Sequence, residues 1–512
     1  VQHIIVKGTG DTSGLGENLL DYDTLIDAAP SGAGRNGLLN ERLATAAVRL
    51  DAVAKAAIAD TLGDDVGRVE RGRQRVPAQA LRPRGAVGLD RPCARRRGRD
   101  GADTVKTIRP ESLANRLESL TPNPRIVAPG NFATPQTLLK LVDEVLPQYT
   151  LHMLNAQGTI PTRDGVTHET TFVGPGMRRS PNLMYYPCRL SLTPVILRQS
   201  LPVDVLLLHT STPRDKMVSM GLEVNILPAV FEAVRDRGGL IIAQVNPKMP
   251  HTYGDALVHV DDIDYCIEVD EPLMALEPSP PDEVAQAIAG RIYSRIPDGA
   301  TLQLGIGGVP DAVLGALTGR RGLRIWSEMF SDGVLALHEL GCFDTDVPLT
   351  ASFVFGSQRL YDWLDGNRLV RMRRTEVTND PGRISRTPAM ISVNSALQVD
   401  LYGQANASRI KGRIYSGFGG STDFIVGALH SPGGNAFIAL PSWHPRAQVS
   451  TIVPLIEGPV TSFQHSSVVT EYGLAQIFGN EEREQVRQLI EHAAHPDARE
   501  ALWEAAKAQG RA

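Results

Sequence analysis

TLQLGIGGVPDAVLGALTGRRGLRIWSEMFSDGVLALHELG, residues 301 to 341, is the stretch from which the fold can be read. Leu302 to Leu304 is a short apolar run that stops at three glycines in four positions, and Pro310 then opens a helix whose apolar side is Val313, Leu314 and Leu317. A second apolar run, Leu323 to Trp326, delivers one acid, Glu328, at its carboxyl end, which is where open α/β sheets gather their chemistry. The glycines let a backbone pass close to a ligand, and free N–H groups at a helix start favour negative charge. A glycine cradle and a carboxylate are thus expected side by side.

Outward from this unit the chain keeps the same grammar. Arg125 to Ala128 is a short strand, Pro129-Gly130 a turn, and Pro135 to Val142 the helix after it. Buried strands are expected at Val205 to His209, Gly239 to Val245 and Cys266 to Val269, with a helix at Ile226 to Arg235. Beyond the central unit come Ser352 to Phe355, Arg371 to Val377, Ile391 to Leu401, Phe437 to Leu440 and Ser450 to Leu455, then a charged amphipathic helix, Glu481 to His492. Alternating strands and helices predict α/β architecture with a mostly parallel sheet covered on both faces. Gly130 precedes Pro135 by five positions and Leu138 by eight, as Gly305 precedes Pro310 and Val313. That repeat predicts two similar α/β domains, each an open sheet with flanking helices, divided where Glu-Pro-Ser-Pro-Pro makes a linker at 277 to 281. The domains are expected at 105–280 and 281–512.

Residues 1–104 do not fit this pattern. Leu38 to Leu62 has helical spacing, but Arg68 to Arg99 holds eleven arginines, no lysine and nothing aromatic to build a core. A linker disordered in part fits that composition better than a nucleic-acid arm. An out-of-frame translation of a GC-rich gene start would carry the same bias. For the whole chain, 42% hydrophobic and 21% charged residues are those of an ordinary globular protein, and a formal net charge of -5 points away from nucleic acid. Cys93, Cys188, Cys266 and Cys342 lie far apart with no paired spacing, which predicts reduced thiols and no metal site. No apolar run reaches bilayer length and the start lacks a signal-peptide pattern, so a cytoplasmic location is expected.

Two chemistries compete for the glycine turn. Gly305-Ile306-Gly307-Gly308 with an acid about 20 residues on imitates the dinucleotide fingerprint of an NAD-binding oxidoreductase. Its third glycine, however, would fall at Pro310, whose ring does not allow the close approach that glycine gives. The rest of the chain points elsewhere. IWSEMFSDGV at 325 to 334 is joined, in order, by VGPGMRR at 173, YYPCRLS at 185, VNPKMPHTYGD at 245 and EVDEPL at 268. GIGGVPDAVL at 305, TEVTND at 375, VNSALQVDLYGQAN at 393, YSGFGGSTDF at 415 and VVTEYGLA at 468 complete the series. Together they resemble the acetyl-CoA hydrolase/transferase family over about Arg125 to Asp497.

The resemblance implies an acyl-CoA:carboxylate CoA-transferase, with an acetyl-CoA hydrolase and a non-catalytic acyl-CoA-binding protein as the alternatives. It also implies two domains with the site in the cleft between them, a coenzyme A thioester as substrate with no permanently bound cofactor, and a homodimer or higher homo-oligomer. Glu328, in the motif SEMFSDG, is then the nucleophile: a carboxylate can be acylated and released again, splitting one hard step into easier ones. Each attack makes a tetrahedral oxyanion that needs donors already in place. Gly305, Ile306, Gly307, Gly308 and Val309 in one loop, and Gly419 and Gly420 in the other, are the expected CoA and oxyanion contacts. Asn379 adds an amide that hydrogen-bonds without bringing charge, although an Asn-Asp-Pro turn accounts for it equally. Asn246 and His251 could face the cleft or brace an ordinary loop. The chain departs from the family at Ser421, where Gln is common, and at Pro432 and Asn435, where lysines that would pair with a CoA phosphate are frequent.

Overall fold

The computed structural model describes residues 106–512 other than 306, 459 and 461–463. The N-terminal segment 1–104 and Ile306 therefore lie outside the described residues.

Seven strands make the first sheet: β1 (Arg125–Val127), β2 (Tyr149–His152), β3 (Val166–Thr170), β4 (Leu183–Tyr185), β5 (Val205–Thr210), β6 (Leu240–Val245) and β7 (Tyr265–Glu268). Their spatial order is β4-β3-β2-β1-β5-β6-β7, parallel throughout. Every residue of β5, VLLLHT, is buried, as expected of a parallel strand covered on both faces. Helix α1 (Gln136–Val145) follows β1 and packs Leu138, Leu139 and Val142 inward. Helix α2 (Leu227–Arg237) has proline in its first turn and ends at Gly238, whose φ of 73° lets its N–H reach back to the carbonyls of Val234 and Arg235. Helix α3 (Glu283–Tyr293) is capped by Asp282, which accepts from the N–H of Ala285.

The second sheet holds β8 (Thr301–Leu304), β9 (Arg324–Ile325), β10 (Met390–Asn394), β11 (Asn435–Ala439), β12 (Ser467–Val469) and β13 (Leu474–Gln476). Its order is β9-β8-β10-β11-β12-β13, antiparallel only at the last pair. Helix α4 (Gly308–Ala316) follows β8 and lies against α3. The repeat expected from Gly130 and Gly305 extends to topology. Ile126 of β1 pairs with Leu151 of β2 on one side and Val205 of β5 on the other, and Leu302 of β8 pairs likewise with Ile325 of β9 and Ile391 of β10. Strand order reverses there in both sheets, which is where open α/β sheets leave a crevice.

Local boundaries differ from expectation for identifiable reasons. Helix α4 starts at Gly308, two residues before Pro310, because the first-turn N–H groups have no partner and a proline there costs nothing. The expected strand Arg371–Val377 is only Val370–Met372: Asp255 Oδ2 takes the N–H of Arg374 and the chain turns into a short helix, Thr375–Thr378. Ile391–Leu401 is broken after Asn394, and Gln398–Asp400 joins a separate small sheet. The last expected helix divides. After α5 (Ser421–His430), the stretch Glu481–His492 expected as one helix is α6 (Glu482–Gln488) followed by a wide turn over Leu489–Ala493, and α7 (Pro496–Ala508), beyond the expected end, docks through Leu502 and Ala506.

The two sheets share one core, in which Leu206, Val224, Leu302, Val354 and Val393 belong to the same buried cluster. Backbone hydrogen bonds sew the halves together as well. The N–H groups of Val224 and Asn225 reach the carbonyl of Ser352 at 2.9 and 3.2 Å, and Val354 N–H reaches Leu222 at 2.8 Å. The segment between the sheets has no regular structure up to α3 and is strapped to the second half, by Leu276 N–H to the carbonyl of Gly356 at 2.8 Å and by Tyr361 Oη to that of Met274 at 3.0 Å.

Candidate active site

Glu328 sits where the chain leaves one sheet for another. Trp326 still bonds to Leu302 of the large sheet, while Ser327 N–H already reaches Thr350, and Met329–Phe330 pairs with Phe353–Val354. The carbonyl of Glu328 is gripped by the N–H groups of Ser352, at 2.7 Å, and Phe353, at 3.0 Å. The backbone is thus fixed on both sides, and the side chain is half-buried.

Three expected residues meet there. Asn379, fully buried, ends the Thr375–Thr378 helix and gives an amide N–H to Glu328 Oε2 at 3.2 Å. Its Oδ1 accepts from Thr378 Oγ1 at 2.7 Å, and that hydroxyl lies 2.7 Å from Ser352 Oγ. With the amide oxygen engaged, the NH2 group must be the end that faces the carboxylate. Gly420 closes the site from above: a Cβ there would fall 1.9 Å from Glu328 Oε2 and 2.2 Å from Asn379 Nδ2. Only glycine fits.

The loop that carries Gly420 is held from the first half. Leu190 N–H reaches the carbonyl of Gly419 at 2.9 Å, Val173 N–H that of Ser416 at 2.8 Å, and Arg178 Nε that of Tyr415 at 2.9 Å. Gly419, at φ 58°, lies under the Phe172 ring, 3.0 Å from where its Cβ would be. Helix α5 starts directly after this loop, and no side chain caps it at Gly420.

The other glycine loop is placed less tightly. Gly305 lines one small cavity with Ser327, whose Oγ reaches the carbonyl of Leu304 at 3.4 Å. Gly307 caps α4 at φ 113° and ψ -179°, a region reserved for glycine, and a Cβ on it would meet nothing within 4 Å. Gly308 is similarly open, and Val309 packs against the main core. Their open face leaves the start of α4 accessible to an anion. Asn246 and His251 brace loops: Asn246 Nδ2 donates to the carbonyl of Glu271 at 2.9 Å, and His251 Nδ1 lies 3.0 Å from Ser211 Oγ.

Burial pushes the Glu328 carboxyl up to about 7; the negative charge of Asp423 adds to the shift and the Asn379 hydrogen bond opposes it. Asp423 carries no signal of its own in the sequence beyond lying inside YSGFGGSTDF. It is fully buried, accepts from Ser191 Oγ at 2.8 Å and Ser191 N–H at 3.1 Å, and stands 3.7 Å from Arg189 Nη1. Burial raises it to about 6, against the pull of Ser191, Arg189 and Asn379. Among the described residues no group of three or more His, Cys, Asp or Glu side chains could hold a metal ion.

Two family models match the chain: the acetyl-CoA hydrolase/transferase N-terminal domain over residues 162–278 and the C-terminal domain over 356–506. Glu328 lies between the two matched stretches. The 4-hydroxybutyrate coenzyme A transferase of Clostridium kluyveri is 38% identical over 385 residues, 71% of this chain and 88% of that one. The succinyl-CoA:acetate/propanoyl-CoA:succinate CoA transferase of Fasciola hepatica is 35% identical over 74% of this chain and 83% of its own. An acetyl-CoA hydrolase of Saccharomyces cerevisiae is 32% identical over 56% of this chain and 58% of its own. Among solved structures, RipA from Yersinia pestis superposes with a TM-score of 0.73 at 26% identity, covering 80% of this chain and 98% of RipA. A 4-hydroxybutyrate CoA-transferase from Porphyromonas gingivalis does so at 0.66 and 31%, covering 78% and 96%.

Proposed function

The chain belongs to the acetyl-CoA hydrolase/transferase family, and from that membership and the geometry around one carboxylate we propose that it exchanges coenzyme A between a short-chain acyl-CoA and a small carboxylate by a ping-pong route through Glu328. The observation that carries this reading is the packing of Glu328 against the Asn379 amide and the bare backbone of Gly420. A Glu328 oxygen attacks the thioester carbonyl carbon, the C–S bond breaks, and CoA leaves as thiolate with the electron pair. The product is a mixed anhydride. The thiolate then attacks the glutamyl carbonyl, expelling the donor carboxylate and leaving a glutamyl-CoA thioester. An acceptor carboxylate reverses the two steps. The Asn379 amide and the N–H groups around Gly420 are positioned to meet each oxyanion, and a donor of this kind contributes roughly 3 to 4 kcal/mol in comparable sites.

The glycine loop Gly305 to Val309 and the accessible start of α4 are read as contacts for the CoA chain. We take 105–280 and 281–512 as the two domains, in keeping with the two family models. A cytoplasmic homo-oligomer is proposed alongside: Cys188, Cys266 and Cys342 are free, no helix among the described residues is long and apolar enough to cross a membrane, and Met184, Leu192 and Val195 are exposed apolar side chains. The NAD reading loses its support in the family membership, since the matched models and relatives are acetyl-CoA hydrolases and CoA transferases.

Transferase is favoured over hydrolase because the alignments with CoA transferases span 74 to 88% of those relatives and those with acetyl-CoA hydrolases 57 to 58%. Acetyl-CoA assayed against a panel of carboxylates, beside a water-only control, tests this. Acceptor-dependent exchange far above the control is expected; CoA release at the same rate without any acceptor would make the enzyme a hydrolase.

A further inference from the structure

We propose that residues 190–199 of the first half are a brace that fixes how far apart the two walls facing Glu328 stand, and that Arg198 is the positioning residue at its far end. This rests on Glu328 being the nucleophile. One wall is the backbone of Gly420, the other the Asn379 amide. The near end of the brace is a tight turn, Leu190–Leu192. Its Leu190 N–H holds the carbonyl of Gly419 at 2.9 Å, and Ser191 holds Asp423, in the first turn of α5, through N–H and Oγ at 3.1 and 2.8 Å. The far end is the helix Thr193–Gln199, where Arg198 Nη2 reaches Glu376 Oε1 at 3.0 Å, 178 positions away in the chain. Glu376 belongs to the short helix Thr375–Thr378 that ends at Asn379. A single segment of the first half thus grips both walls.

The Asn379 wall needs such a grip, because a helix of four residues has no stability of its own and takes its place from its neighbours. Its start is tied to the first half: Arg374 N–H reaches Asp255 Oδ2 and Thr375 N–H the carbonyl of Asn225, both at 3.0 Å. Its end is tied to the second, where Trp326 Nε1 donates to the carbonyl of Thr378 at 3.0 Å. Four charges then close a ring across the seam. Arg198 Nη2 also meets Glu232 Oε2 at 2.7 Å, Glu232 Oε1 meets Arg374 Nη1 at 2.8 Å, and Arg374 Nη2 meets Glu376 Oε1 at 3.4 Å. Arg198 and Glu232 come from the first half, Arg374 and Glu376 from the second, and each charge faces two of the opposite sign. An isolated exposed pair holds little, whereas charges joined in a network hold one another. The helix that carries Arg198 packs on α2, which supplies Glu232, so the ring is anchored to the body of the first half. Preorganised donors are sensitive to such anchoring: a misplacement of roughly 1 Å can cost on the order of a hundredfold in rate.

The test mixes the full chain with acetyl-CoA and no acceptor, quenches at short times, and quantifies by mass the CoA adduct on the peptide holding Glu328; kcat and KM are measured beside it with acceptor present. Arg198→Ala should slow both adduct formation and kcat at least about tenfold, with acyl-CoA KM within about threefold, the pattern of a lost transition-state contact. Arg198→Lys should recover most of the rate, because both bonds of Arg198 leave from one nitrogen and an ammonium carries three hydrogens. Glu376→Gln, which weakens the same link from the other side, should slow both quantities by less. An unchanged adduct rate in Arg198→Ala, with only thermal stability reduced, would overturn the proposal, and so would Arg198→Lys as slow as Arg198→Ala. If Arg198→Ala does not fold, an unchanged rate in Glu376→Gln overturns it. A missing adduct on Glu328 in the unaltered chain sinks the nucleophile assignment and the brace with it, whereas a normal adduct there beside unchanged variant rates sinks the brace alone.

Discussion

At Glu328 the chemistry turns on a proton. A carboxyl raised to about 7 is largely protonated in mildly acidic solution, and only the carboxylate attacks a thioester. The rate constant kcat/KM should therefore fall about tenfold for each pH unit below that point, as a single protonation requires. The effect on stability has the opposite sense. Because the folded value lies above the ordinary 4.5, the group favours the folded state at low pH and that contribution is lost as pH rises through 7. Glu328→Gln should thus raise the melting temperature at pH 8 while abolishing exchange; equal melting temperatures at pH 8 would show the carboxylate to be well solvated. Covalent capture is the direct check of the role. Acyl-CoA without acceptor should add CoA less water to the peptide holding Ser327, Glu328 and Met329, and borohydride should reduce that thioester; an adduct on another residue would move the nucleophile. Gly420→Ala should already be inactive, because its Cβ would displace Glu328 Oε2 and Asn379 Nδ2 together.

Among the elements, the two glycine loops make different demands. The Gly305–Val309 loop needs glycine for its backbone: Gly307→Ala forces a side chain into a conformation costing about 1–3 kcal/mol, with no neighbour to clash. Melting temperature should drop by several degrees and CoA binding weaken; an unchanged melting temperature would mean that the loop relaxes freely. The Gly419–Gly420 loop needs glycine for space. Both loops are legible in the sequence, because a glycine cluster that runs straight into helical periodicity marks a tight turn feeding a helix, and the strand–turn–helix repeat at Gly130 and Gly305 carries the doubled topology. What cannot be read there is set by partners distant in the chain. The strand expected from Arg371 to Val377 ends at Met372 because Asp255, more than a hundred residues away, takes the N–H of Arg374. Asp423 reads as an ordinary first-turn acid; its partner Ser191 lies 232 positions away, and no local pattern connects the two. Helix α7 is faint in the sequence because its apolar side is thin, with only Leu502 and Ala506 buried.

For the molecule as a whole, the shared core and the bonds between 222–225 and 352–354 predict that the halves unfold together. Calorimetry of the chain should show one transition for residues 106–512; two well-separated peaks would show the halves to be independent. Sequence periodicity reveals two similar sheets but not this fusion, since a residue's apolar character does not say which sheet it faces. The start of the described fold has its own limit: Cys266 N–H bonds to the carbonyl of Lys106, and Ile108 N–H to that of Cys266. A chain beginning a few residues before Lys106 should stay soluble and active, whereas one beginning after Ile108 loses both bonds and leaves an edge of the first sheet bare. The strap between the sheets offers a last consequence. Leu276 to Pro280 is exposed and the stretch has no regular structure, so a protease should find it and cut there. The nick would sever only the peptide link. Two polypeptides gripping each other through Ser352, Leu222 and a common interior should elute as one particle and go on turning over, so that natural or engineered gene fission at this point need not destroy the enzyme.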